Sequence, residues 1–96
     1  MKVVPKPFAF EWDKENSDKN FKRHKITNDE AEQVFKHEPL VSEGIKHSQT
    51  EQRLHALGKT DRERLLLVSF TIRGEKARII SAREMNKKER IIYEET

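Results

Sequence analysis

Arg53, His55, Ser69, Thr71, Arg73 and Arg78 occupy alternate positions of three short strand-like runs. The intervening positions are Leu54, Ala56, Leu66, Val68, Phe70, Ile72, Ala77 and Ile79. Successive side chains of a strand point to opposite faces, so these runs predict a sheet with one apolar face and one cationic, hydrogen-bonding face. Arginine keeps its charge and offers a fork that matches phosphate oxygens. Histidine titrates near neutrality, with an ordinary pKa of ~6.5, and transfers protons in either direction. A face built from both predicts a surface for phosphates, equipped to do more than bind them.

The remainder of the chain has to position that face. Its 96 residues allow one domain, residues 1–96, with a single modest core. Hydrophobic residues make up 33% and charged residues 39%, so burial energy is limited and a tight partner is expected to raise stability. The formal net charge is only +3, and placement matters more than the total. Acidic residues gather at Glu11 to Asp18, Asp29 to Glu38 and Glu94 to Glu95, which leaves residues 53–90 distinctly basic. That asymmetry suits RNA, DNA or an acidic protein partner. Cysteine is absent, which excludes disulfides and thiolate chemistry. No apolar run approaches the ~20 residues of a membrane span, and Met1 to Phe8 lacks the apolar stretch of a signal peptide. The expectation is a cytoplasmic protein.

Phe8 to Trp12 alternates as a first strand, and Asp13 caps a polar helix running to about His24 whose apolar face is little more than Phe21. Thr27-Asn28-Asp29-Glu30 is a capping box opening a helix with Ala31, Val34 and Phe35 on one stripe, stopped by Pro39. Leu40 to Ile45 reads as a short strand and His47 to Gln52 as a polar connection. Arg53 to Leu57 is a strand ending at Gly58, followed by a turn at Lys59 to Arg62. Leu65 to Arg73 and Lys76 to Ala82 form a hairpin around Gly74-Glu75. Asn86 caps a last helix in which Ile91 and Ile92 are expected to supply apolar contacts, with Tyr93 joining them. The predicted class is α+β, order β-α-α-β-β-β-β-α, with a mainly antiparallel sheet and helices on its apolar face.

Several stretches in this order resemble one family. They are Phe10-Glu11-Trp12-Asp13, Asn20 to His24, Ala31 to Phe35, His47-Ser48 leading to Arg53 to Lys59, Arg78 to Arg83, Lys88-Glu89-Arg90 and Tyr93 to Glu95. The chain is similar to the BrnT toxins of bacterial type II toxin–antitoxin systems. The resemblance implies a RelE-like fold and metal-independent ribonuclease activity needing no cofactor. It also implies neutralisation by a BrnA-like antitoxin whose ribbon-helix-helix part binds operator DNA, two antitoxin chains each holding one toxin in a heterotetramer. Two positions depart from the family pattern. Lys25 stands where a Gly often follows the last His of the first helix, and Gln52 where an acidic residue commonly precedes Arg53.

Metal-free RNA cleavage needs a base for the ribose 2′-OH, stabilisation of an anionic phosphorane and an acid for the departing 5′-oxygen. On the resemblance, the expected catalytic set is Arg53, Arg78 and Arg83 on the scissile phosphate, with His24 or His55 in proton transfer. Arg78 and Arg83 are oddly spaced and would face opposite ways on a regular strand, so a bend past the strand end is needed to reunite them. Lys22, Arg73 and Lys87 are expected to add RNA contacts, the two lysines being otherwise ordinary solvated residues. Trp12 is expected in the core rather than under a stacked base, and His37 and His47 as surface residues. The four His have no ligand spacing, so no metal site is expected. The rival reading is a non-catalytic nucleic-acid or protein-binding module acting as a corepressor.

Overall fold

The structure is a computed structural model and describes residues 9–43 and 53–95. Phe8, the end of the second expected strand at Ile45, His47 and Gln52 lie outside them. In chain order the elements are β1 (Ala9–Trp12), α1 (Lys14–His24), α2 (Asn28–Lys36), β2 (Leu40–Glu43), β3 (Leu54–Lys59), β4 (Leu65–Arg73), β5 (Lys76–Glu84) and α3 (Lys87–Glu94). This is the α+β order expected from the sequence. The strands form one sheet in the order β1-β5-β4-β3-β2. β1 runs parallel to β5 and the other neighbours are antiparallel.

Alternation decides what the main face buries. Leu54 and Ala56 of β3, Leu66, Val68 and Phe70 of β4, and Ala77, Ile79 and Ala82 of β5 pack against Ala31, Val34 and Phe35 of α2, with Ile26 between the helices. Phe35 is the hinge of this layer. Its ring meets Phe70 edge-on at 5.0 Å between centroids and Phe10 at 5.3 Å. Trp12 packs against the same core and donates its indole N–H to Glu32 at 2.7 Å. Ile72 shares the alternation but is exposed.

The β3 strand continues through Gly58 to Lys59 instead of ending at the glycine. A Cβ on Gly58 would lie 2.8 Å from Val34 Cγ1, so glycine here lets α2 approach the sheet and does not mark a turn. Not all helices lie on the apolar face either. Leu57, Leu67 and Met85 form a second cluster with Leu40, Leu65 and Tyr93, and Leu57 alternates with Leu54 and Ala56. α3 therefore covers one end of the opposite face. Tyr93 packs there as expected, while Ile91 and Ile92, expected to supply the main apolar contacts, are about half exposed.

β5 contains an irregularity that reconciles its two arginines. Ser69 pairs with Ser81 and Phe70 with Ile79, so Ile80 is an extra residue on β5. Arg78 pairs with Thr71 and Arg83 with Leu67, both on the same face of β4. The bulge within β5, and not a bend beyond its end, brings the arginines to one side. β1 reaches only to Trp12 opposite Ile79, and α1 then runs along β5 beyond it. There Asn20 Oδ1 accepts the Ala82 N–H at 3.1 Å, replacing a ladder bond the missing strand would have made. Asn20, not Phe21, is thus the inward residue of α1, and Phe21 is 51% exposed.

α1 begins at the Asp13 cap and ends at Lys25, whose φ of 56° and ψ of 37° are left-handed. The turn that glycine would favour is kept by lysine, with Nζ 5.5 Å from the Phe21 ring centroid. α2 carries the full Thr27–Glu30 capping box. His37 lies at the surface as expected and is also a tie: its Nε2 is 2.7 Å from Asp61 Oδ1, joining the end of α2 to the β3–β4 turn. Among the described residues no helix is long and apolar enough to cross a membrane.

Candidate active site

Where α1 passes the bulge of β5, a cleft of about 300 Å³ opens. One wall is Asn16, Lys19, Asn20, Arg23 and His24 of α1. These positions step by three, one, three and one, which places them on one stripe of the helix. The other wall is Ile80, Ser81, Ala82 and Arg83 of β5, with Arg53 reaching in from the start of β3. Among the described residues the lining holds Lys19, Arg23, Arg53 and Arg83 and no carboxylate. A polyanion is the ligand such a wall attracts.

The expected catalytic residues divide as follows. His24, Arg53 and Arg83 line the cleft. His55 lies beside it in a cross-strand row, Ser42–His55–Ser69–Ser81, the last member of which is part of the wall. Burial, then Arg83, then Arg53 hold the His55 pKa below the ordinary histidine value, and Glu89 opposes them. These surroundings favour the neutral imidazole over the imidazolium. Arg78 is on the same sheet face but outside the cleft lining, with its guanidinium 3.7 Å from Asp13 Oδ2. Of the expected RNA contacts, Arg73 closes β4 at the hairpin, Lys22 is exposed on α1 and Lys87 is exposed at the start of α3. None of these three lines the cleft.

Other residues matter here that patterning alone does not single out. Glu89 accepts both Arg83 terminal nitrogens, Nη1 at Oε1 and Nη2 at Oε2, each at 2.7 Å. Arg83 Nη1 also reaches the Glu84 carbonyl at 3.1 Å. Both partners respond: the Arg83 pKa is raised by Glu89, and the Glu89 carboxyl is held below its ordinary value by Arg83. Arg64 fixes the rim, donating Nη2 to the His24 carbonyl at 2.7 Å and Nη1 to that of Lys25 at 3.0 Å. These bonds cap the carbonyl end of α1 and hold the His24 turn in place. Among the described residues, two buried polar atoms, Asn20 Nδ2 and Thr71 Oγ1, have no hydrogen-bond partner. The helical stripe from Asn16 to His24 was readable as spacing, and Glu89 as a cap. The pairing of Glu89 with Arg83 and the reach of Arg64 were not.

Fold and site together define a small α+β protein with a cationic cleft between a helix and its sheet. The family model for the ribonuclease toxin BrnT of type II toxin–antitoxin systems matches residues 12–89. The chain belongs to this family, and is accordingly a ribonuclease toxin of a type II toxin–antitoxin system. Among solved structures it is similar to the 1.1 Å crystal structure of the Brucella abortus ribonuclease toxin BrnT, with a TM-score of 0.61 and 21% identity over 82% of this chain and 97% of that one. That likeness supports the fold. A comparison with curated protein sequences gives no significant match.

Proposed function

We propose that the cleft between α1 and β5 is where RNA is cut, without a metal ion. In this reading Arg53 and the remaining N–H groups of Arg83 hold the scissile phosphate, with Arg78 at its flank. His55, whose surroundings favour the neutral imidazole, accepts the proton of the ribose 2′-OH as that oxygen attacks phosphorus. His24, on the facing wall, donates a proton to the departing 5′-oxygen. The P–O5′ bond breaks, leaving a 2′,3′-cyclic phosphate and a 5′-hydroxyl. Lys22, Arg73 and Lys87 extend the phosphate path outside the cleft. The single observation supporting this is the convergence of His24, Arg53 and Arg83 on one cleft, with His55 alongside.

Family membership implies an antitoxin partner. In the same proposal that partner is BrnA-like, uses a ribbon-helix-helix part to bind operator DNA, and forms a heterotetramer with the toxin in the cytoplasm. The description of the family as ribonucleases argues against the corepressor-only reading.

The test is cleavage of single-stranded RNA by purified protein in EDTA, with end-group analysis. Cyclic phosphate ends are expected. Arg53→Ala should lower the rate by ~10²-fold or more, and His24→Ala and His55→Ala by ~10²–10⁴-fold. Intact RNA in EDTA with folded protein, or three variants that all cut normally, would defeat the proposal.

A further inference from the structure

We infer that Glu89 is the positioning residue of this cleft: its carboxylate, clamped by the α3 cap, fixes the Arg83 guanidinium and sets the charge that His55 meets. The inference rests on reading the cleft as the RNA-cutting site, and it assigns a role to a residue that touches no substrate.

Glu89 is the third residue of α3, and its geometry is fixed twice over. Its Oε1 accepts the Asn86 N–H at 2.9 Å, while its own N–H donates to Asn86 Oδ1 at 2.8 Å. This reciprocal cap holds the side chain in one rotamer before any ion pair forms. The carboxylate is only 17% exposed and takes both Arg83 terminal nitrogens. Two parallel charge-assisted bonds define a plane, so the guanidinium has one orientation. With Nη1 also on the Glu84 carbonyl, three of the five Arg83 N–H groups have partners among the described residues. Within that set the Nε–H and one Nη2 hydrogen remain to face a ligand, and their direction follows from Glu89.

Among the described residues, the charged groups that face His55 come from three places in the chain. Arg53 precedes its own strand, Arg83 is on β5 and Glu89 is on α3. Ser42 and Ser69, across from it on β2 and β4, are neutral. Burial and the two arginines disfavour the imidazolium, and among the described residues Glu89 is the group that favours it. Glu89→Gln removes that opposing charge and leaves Arg83 unneutralised, so the His55 pKa falls further. Gln also serves at this position of a capping box, so α3 keeps its start.

The experiment is an NMR titration of the His55 imidazole in the wild type and in Glu89→Gln and Glu89→Asp, alongside pH profiles of RNA cleavage. In Glu89→Gln the His55 titration and the acidic limb of kcat are expected to move together to lower pH. Plateau kcat should fall by up to ~10²-fold, since the guanidinium loses its orientation. Glu89→Asp keeps the charge but shortens the reach: His55 should titrate close to wild type while kcat still drops. Equal behaviour of the Asp and Gln variants in the titration, or a His55 titration unmoved in folded Glu89→Gln, would overturn the inference. If the wild type cuts no RNA, the cleft reading fails, yet the titration still decides whether Glu89 governs His55.

Discussion

At the residue scale the cleft depends on a few polar side chains that each complete something the backbone leaves open. Asn20 shows this most simply. It is 6% exposed, on a helix otherwise solvated, because its Oδ1 answers the Ala82 N–H next to the bulge. A buried donor without a partner costs ~1–3 kcal/mol. Asn20→Ala is therefore expected to destabilise the protein by about that amount in urea unfolding, and to speed hydrogen exchange at the Ala82 amide. Unchanged exchange at Ala82 would show that the bond contributes little. His55 has a parallel consequence for stability. Its folded pKa is lower than the 6.5 of the free side chain, so the unfolded chain takes up the proton first and stability declines as pH falls below that value, levelling off beneath the folded pKa.

At the scale of elements, one extra residue in β5 does what no rigid strand can. With Ile80 unpaired, Arg78 and Arg83 share a face despite their odd spacing, and the strand bends beneath α1. The opposite side of the sheet is governed by closeness of approach. Val34 of α2 is fully buried and sits where a Gly58 Cβ would be. Gly58→Ala should cost ~1–3 kcal/mol through overpacking, because a β-branched side chain has no spare rotamer to move into. Pairing it with Val34→Ala should recover part of that loss in the same unfolding measurement. Full additivity of the two changes would mean the contact is not the cause.

For the molecule as a whole, two clusters on opposite faces of one sheet share the burial, and the polar remainder of the face that carries the smaller cluster holds the functional groups. A charged composition of 39% then has a use. Basic side chains of α1, β5 and Arg53, just before β3, meet on one cleft, while carboxylates such as Glu30, Glu84 and Glu89 pair with arginines at its borders. Binding of a short RNA to Arg53→Ala protein, where cutting is suppressed, should weaken linearly in log–log plots against salt. The expected slope is about −0.7 per phosphate contacted. Affinity independent of salt would remove the electrostatic role of the cleft.

Alternation and caps are local properties, and they were legible in the chain. The apolar run of β4, the Thr27 and Asn86 caps, the stripe Ala31–Val34–Phe35 and the order of all eight elements follow from side-chain period and from which residues satisfy free amides. The mixture of arginines and histidines on the polar positions also pointed to phosphate chemistry before any fold was known. Three things depended on packing between distant segments: the bulge at Ile80, the placement of α3 on the second face, and the Arg83–Glu89 fork. Each is a contest between elements for the same space or the same hydrogen bond, and a one-dimensional pattern does not contain its outcome. Tertiary structure therefore decided which of the cationic residues meet: His24, Arg53 and Arg83 at one cleft, with Arg78 turned aside to Asp13.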